Sequence, residues 1–255
     1  MIIDSHVHTH HSCDSTITMN EYCQKALVSG VDCIYFTDHI DHNKNDYGYG
    51  YYNIENYFTE LKQVQEKYAG KIVILSGIEF SEPHIYKSPF EVYKKYPYDF
   101  ILGSVHFWLN DMFPSDMVKR NIPREVSFEN YWNEVYKAIS YGGFDSLAHI
   151  DFPKRYYKSS YYEDFQISNI FKLMIENDIS LEINTSSLRK GLSVSMPDDD
   201  FLKLYKSVGG KYITYGSDSH ITDDLAADYD YALNLIDSNG LAKVSYIQRH
   251  RIINT

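Results

Sequence analysis

Cysteine is scarce in this chain: there are three, Cys13, Cys23 and Cys33, with no Cys-x-x-Cys pair among them. An odd set at that spacing argues against a disulfide framework or a structural zinc ribbon, and leaves reduced thiols as the plain reading. Positive charge is also short, with 24 Lys and Arg against 35 Asp and Glu and a formal net charge of -11. That balance opposes nonspecific attraction to nucleic acid or an anionic membrane, while permitting a local basic pocket for a phosphate. No apolar run reaches the length of a bilayer span, and the chain opens on Met1-Ile2-Ile3 and polar residues rather than on a basic segment and an apolar stretch. The expectation is a cytoplasmic protein with a small-molecule partner, and with neither nucleic acid nor membrane. No Gly-x-x-x-x-Gly-Lys-Ser/Thr loop is present, so ATP-driven transfer has no support. Low-complexity linkers, charge blocks and internal repeats are missing too, and one domain over residues 1–255 is expected at this length.

What the chain does have is a series of short hydrophobic runs, at 1–4, 32–36, 71–75, 100–103, 146–148, 180–183 and 212–215. Their near-continuous apolar character suits strands covered on both faces in a parallel sheet. Between them lie amphipathic patterns of helical period at 18–29, 54–68, 128–140, 164–176, 198–208 and 223–236, so strand and helix alternate throughout. Thr18 with Glu21 reads as a capping box, Gly30 lies just past the end of that helix, and Ser127 is a candidate cap for the third. Connections that follow helices are short. Those that follow strands are long, notably 41–53, 81–98, 107–127 and 185–197, and would share one barrel face as active-site loops.

Nearly every strand-like run ends in a potential metal ligand: His6 and His8, Asp38 and His39, Glu79, His106, His149 and Asp151, Asn184, then Asp218 and His220. Residues two apart on a strand share a face, so His6 and His8 can chelate one ion, and Asp4 would point with them. In a parallel barrel the strand C-termini converge, which makes neighbours of residues distant in sequence. His84 and His250 lack this strand-end context. His10, His11 and His42 sit in polar loops, where solvation or support of a ligand competes with ligation, and stay outside the set.

The ordered motifs His6-Val7-His8-Thr9 with Ser12 and Asp14, Thr37-Asp38-His39, Gly77-Ile78-Glu79, Ser104-Val105-His106, His149-Ile150-Asp151 and Gly216-Ser217-Asp218-Ser219-His220 together resemble the polymerase and histidinol phosphatase (PHP) superfamily, from Asp4 to His220. The resemblance implies an α/β fold, a distorted seven-stranded (β/α)7 TIM-like barrel with its metal site at the strand C-terminal face. It also implies two or three divalent transition-metal ions. Carried over residue by residue, one metal takes His6, His8, Glu79 and Asp218, while a second shares Glu79 and takes His106 and His149. A third uses Asp14, His39 and His220, with Asp14 standing where some relatives have histidine. The mixed imidazole and carboxylate set suits zinc, manganese or iron. Asp4, Asp38 and Asp151 read equally as partners of neighbouring imidazoles and as strand-end hydrogen-bond acceptors.

Adjacent divalent cations favour phosphate-ester hydrolysis by hydroxide, with Glu79, Asp218 and His220 at the reacting centre. Basic pairs follow two of the strand ends, Lys154-Arg155 and Arg189-Lys190. Arg155 and Arg189 are the first candidates for a phosphate clamp because the guanidinium fork matches phosphate geometry; Lys154 and Lys190 rank below them. Asp41 is a candidate for protonating the leaving alkoxide or binding an ammonium, with His220 as a rival acid. Within the superfamily, the compact chain, the long loops and the Asn184–Lys190 segment resemble the histidinol-phosphate phosphatases. That implies hydrolysis of L-histidinol phosphate to L-histidinol and phosphate in histidine biosynthesis. The alternatives are another small phosphate ester and a noncatalytic metal-binding regulatory domain.

Overall fold

β-branched and aromatic runs too short for a helix alternate here with amphipathic stretches, and this alternation builds the molecule. The computed structural model describes residues 1–254. The chain runs β1 (Ile3–Val7), α1 (Met19–Ser29), β2 (Cys33–Ile40), α2 (Ile54–Lys67), β3 (Val73–Ser81), α3 (Lys87–Tyr93) and β4 (Phe100–Ser104). It continues through α4 (Pro114–Lys119), α5 (Arg124–Tyr141), β5 (Ser146–Leu147), α6 (Lys154–Tyr157), α7 (Asp164–Glu176), β6 (Ser180–Asn184), α8 (Ser186–Arg189) and α9 (Asp199–Ser207). Last come β7 (Tyr212–Gly216), α10 (Tyr229–Ser238), β8 (Ala242–Ile247) and β9 (His250–Ile253).

The strands form one sheet in sequence order, parallel from β1 to β8, with β9 antiparallel to β8. The seven expected strands are all present; the β8–β9 hairpin is an addition that the sequence reading did not place. Val7 bridges Ser219 in parallel fashion, and the His8 N–H donates to the Ser219 carbonyl at 2.8 Å. The segment after β7 therefore lies beside the end of β1. Alternate strand residues face two different apolar cores. On β2, Ile34 and Phe36 join the core shared with the helices, whereas Cys33 and Tyr35 join Ile3, Phe100, Leu102, Ala148, Val244 and Tyr246 on the inner face. The inner-face series on β2 runs on through Thr37 to His39, so the polar site sits at one end of an apolar plug.

Local signals explain the ends. The Thr18 side chain accepts the Glu21 N–H at 3.2 Å, the Glu21 carboxylate accepts the Thr18 N–H at 2.8 Å, and Gly30 closes α1 with φ 71°. Ser127 is not a cap: α5 begins earlier, after Pro123, and the buried Ser127 hydroxyl accepts the Trp108 indole N–H at 3.3 Å. The long post-strand connections carry short helices of their own, α3, α4 and α8.

Candidate metal centre

Glu79 sits at the inner end of β3, fully buried, and its two carboxylate oxygens face different imidazoles. Oε2 lies 3.0 Å from His39 Nδ1, 3.2 Å from His6 Nε2 and 3.6 Å from His8 Nε2. Oε1 lies 2.9 Å from His149 Nε2 and 3.3 Å from His106 Nε2. Asp218 approaches from the β7 end, its Oδ1 at 3.4 Å from His8 Nε2 and 3.8 Å from His6 Nε2. At the rim, Asp14 Oδ2 lies 3.0 Å from His220 Nε2 and 3.5 Å from His39 Nε2. The nine residues read from the sequence as candidate ligands thus meet in one place.

The path of β1 departs from simple alternation. Between Asp4 and Val7 two of its residues, Ser5 and His6, oppose the single Tyr35 of β2, a bulge that breaks the period of two. His6 and His8 still reach the cluster, but Asp4 does not point with them. Its carboxylate turns to Ser217 and the Ala226 N–H, tying down the segment that carries Asp218. Asp38 likewise binds the backbone and hydroxyl of Thr9 and the Ser12 hydroxyl, which fixes the turn leading to Asp14. Asp151 pairs with Lys154 and Ser160.

Two supporting carboxylates escaped the sequence reading. Glu182, buried mid-strand on β6, accepts from His6 Nδ1 at 2.6 Å and from the His149 N–H at 2.7 Å. Its signal was an acid inside the run 180–183, where both faces of the strand are covered. Glu82, just past β3, accepts the His106 and Phe107 N–H groups at 2.5 and 3.1 Å; burial pushes its carboxyl up to about 7. His149 and Asp218 both have positive φ, 26° and 56°, strained for residues with a side chain. The bond to Glu182 holds the first, and donation from the Asp218 N–H to the His6 carbonyl at 2.9 Å holds the second.

Burial by itself raises the Glu79 carboxyl, but the His39, His6 and His106 imidazoles outweigh it and hold the group well below its usual range. Asp218 is lowered in the same way: burial opposes ionisation, and His6, His8 and Arg155 overcome it. His8 moves down because of burial and of the neighbouring His39 and His220 rings. His8 Nε2 and His39 Nδ1 are buried without a hydrogen-bond partner among the described residues, although a Glu79 oxygen lies 3.6 and 3.0 Å from them. Orphaned nitrogens of this kind cost about 1–3 kcal/mol each, a cost that a cation between them and the carboxylates would remove. The separations of 2.9–3.8 Å quoted above also suit donors sharing one ion, since zinc bonds of about 2.0 Å place tetrahedral ligand atoms about 3.3 Å apart. The donor set fits divalent metal.

A cavity of about 1020 Å3 opens above the cluster, walled by Phe107, Phe113, Phe152 and Tyr156 and by Asp41, Asp46, Asp111 and Asp116. Arg155 and Lys190 line it as well. Arg155 Nη2 donates to Asp218 Oδ2 at 2.7 Å and to the Ser186 hydroxyl at 2.5 Å. Lys154 and Arg189 stand elsewhere. The buried Lys154 ammonium is held by Asp151 and Asp198, at 2.7 and 2.9 Å. Arg189 is held by Asp224, Asp228 and the Ser217 carbonyl. Asp41 Oδ1 accepts from the Ser81 hydroxyl at 2.6 Å, and Ser81 in turn contacts His106 Nδ1 at 3.0 Å.

Over 98% of both chains the sequence is 31% identical to a probable histidinol-phosphatase of Clostridium acetobutylicum. It is 28% identical to a histidinol-phosphatase of Lactococcus lactis, over 86% of this chain and 84% of that one. A crystal structure of the L. lactis histidinol phosphate phosphatase, complexed with zinc, L-histidinol and phosphate, matches with a TM-score of 0.84 at 25% identity, covering 100% of this chain and 99% of that one. The alternating strands and helices share that TIM-like α/β fold. Residues 4–186 match the model of the PHP domain, a span that carries Glu79 and all but the last two members of the cluster, and the chain belongs to the PHP domain family.

Proposed function

We propose that this chain is a metal-dependent phosphomonoesterase that hydrolyses L-histidinol phosphate to L-histidinol and phosphate, as a single domain. The observation that carries the reading is Glu79, whose two oxygens face separate sets of imidazoles at the floor of a cavity with an arginine in its wall. His6, His8, Glu79 and Asp218 would hold one ion, and Glu79, His106 and His149 a second. Asp14, His39 and His220 would hold a third, with zinc favoured by the complex of the L. lactis enzyme. Divalent ions there supply Lewis-acid charge for phosphoryl oxygens and acidify water, the chemistry of metal-assisted ester hydrolysis.

The chain's own residues do the rest. Arg155 presents its guanidinium beside Asp218 and offers the phosphoryl group positive charge and its remaining N–H donors. Lys190 adds positive charge on the same wall. Asp41, buried at the cavity edge and tied to Ser81, would give a proton to the departing alkoxide or receive the ammonium. The aromatic and acidic walls suit a product that carries an imidazole and an ammonium. The test is phosphate release from L-histidinol phosphate and a panel of competing monoesters, after loading metal-depleted protein separately with zinc, manganese and iron. Preference for another monoester by tenfold or more in kcat/KM would replace the substrate, and no release with any metal would replace the activity.

A further inference from the structure

A second group of donors lies outside the Glu79 cluster, on the turn between β1 and Asp14. Adjacent residues on an extended chain point apart, but here the backbone turns. The Ser12 N–H donates to the Thr9 carbonyl at 2.8 Å, and the His10 N–H donates to the Ile17 carbonyl at 2.8 Å. Both imidazoles consequently fall on one side, their centroids 4.3 Å apart, and both Nε2 atoms face Glu60 on α2. His11 Nε2 lies 2.9 Å and His10 Nε2 3.4 Å from the same carboxylate oxygen, Oε2. All three donor atoms lie within 4.8 Å of one another. The other oxygen, Oε1, accepts the Met19 N–H at 3.0 Å, which fixes the carboxylate's orientation. His10 Nδ1 is buried without a hydrogen-bond partner among the described residues, and its ring rests against His11 with Nε2 toward Glu60.

We infer that His10, His11 and Glu60 form a further divalent-metal site, separate from the Glu79 cluster, that takes a zinc-like ion through two imidazole nitrogens and one carboxylate oxygen. The separations of 2.9 and 3.4 Å bracket the roughly 3.3 Å expected between donors on one tetrahedral ion. Two neutral imidazoles and one carboxylate leave a single negative charge to attract a dication. The turn and the Met19 bond have already ordered the donors, so ligation adds little ordering cost. It exchanges the imidazole–carboxylate hydrogen bond for three metal bonds, the displaced Nε2 proton moving to Nδ1 or to solvent. The three donors themselves line a cavity of about 570 Å3 together with Tyr51, Asn53, Asn56 and Thr59, distinct from the one above Glu79.

The test is equilibrium dialysis of the full chain against buffered free zinc, with bound zinc read by elemental analysis, for the wild type, Glu60→Gln and His10→Ala. The wild type should bind one equivalent more than either variant, with that equivalent weakened tenfold or more in the variants and the remaining zinc unchanged. His10 is 40% exposed in its side chain, so its loss leaves the fold in place even if Glu60→Gln disturbs α1. In a parallel measurement, zinc should shift the imidazole 15N resonances of His10 and His11 in the wild type. Equal zinc content in wild type and His10→Ala at every free zinc concentration overturns the site, as do resonances that zinc leaves unmoved.

Discussion

At the scale of single residues, neighbours in sequence part company in what they touch. Glu79 is the clearest case of a residue that nothing replaces, because each oxygen serves a different group of imidazoles. Glu79→Gln keeps the shape but removes the charge, and turnover should fall on the order of a hundredfold or more, about 3 kcal/mol of barrier. Near-normal rates at full zinc content would defeat the bridging assignment. The two arginines divide differently from the sequence expectation. Arg155→Met should leave zinc content intact and lower kcat/KM roughly ten- to a thousandfold, and unchanged kinetics would remove Arg155 from phosphate binding. Arg189 instead ties α8 to Asp224, Asp228 and the Ser217 carbonyl, just before Asp218. Arg189→Met should therefore cost about 1–3 kcal/mol of stability in denaturant unfolding, with KM close to wild type. A large rise in KM without loss of stability would restore it to the clamp.

Elements deliver these residues by geometry that a pattern of apolar residues does not contain. Successive residues on a helical turn point about 100° apart, which is why Lys154 enters a buried ion pair while Arg155 faces the cavity. On β7, Gly216 leaves room for its neighbours: a methyl group there would meet the Glu182 carboxylate and the His6 Cβ. Gly216→Ala should accordingly push aside the carboxylate that orients His6 and His149. The expected result is a loss of roughly 1–3 kcal/mol in stability together with weaker zinc retention. Wild-type zinc content and an unchanged unfolding midpoint would show that the site has slack the packing does not suggest.

The whole molecule holds an acidic and imidazole-rich cluster above an apolar plug, and several of its buried nitrogens lack partners among the described residues. Metal should thus contribute to stability as well as to chemistry. An ion held at a thousand times its Kd contributes about 4 kcal/mol. Dialysis against a chelator should lower the thermal midpoint by roughly 8 to 16 °C and abolish turnover, with both restored by zinc. A midpoint indifferent to chelation would mean that the cluster is satisfied by hydrogen bonds alone.

The sequence by itself determined the alternation of strands and helices and the polar residues at the strand ends, because strand length, helical period and the break from apolar to ionisable residues are local properties. Thr18 with Glu21 was legible for the same reason. Only the tertiary structure decided which of the basic residues face the cavity, that the β1 bulge sends Asp4 to Ser217, and that Glu182 and Glu82 support the histidines. It also decided the β8–β9 hairpin and the meeting of His10 and His11 with Glu60, about fifty residues on. Each of these depends on register between strands or on the path of a turn. Contacts between residues distant in the chain set both, and no window of sequence contains those contacts.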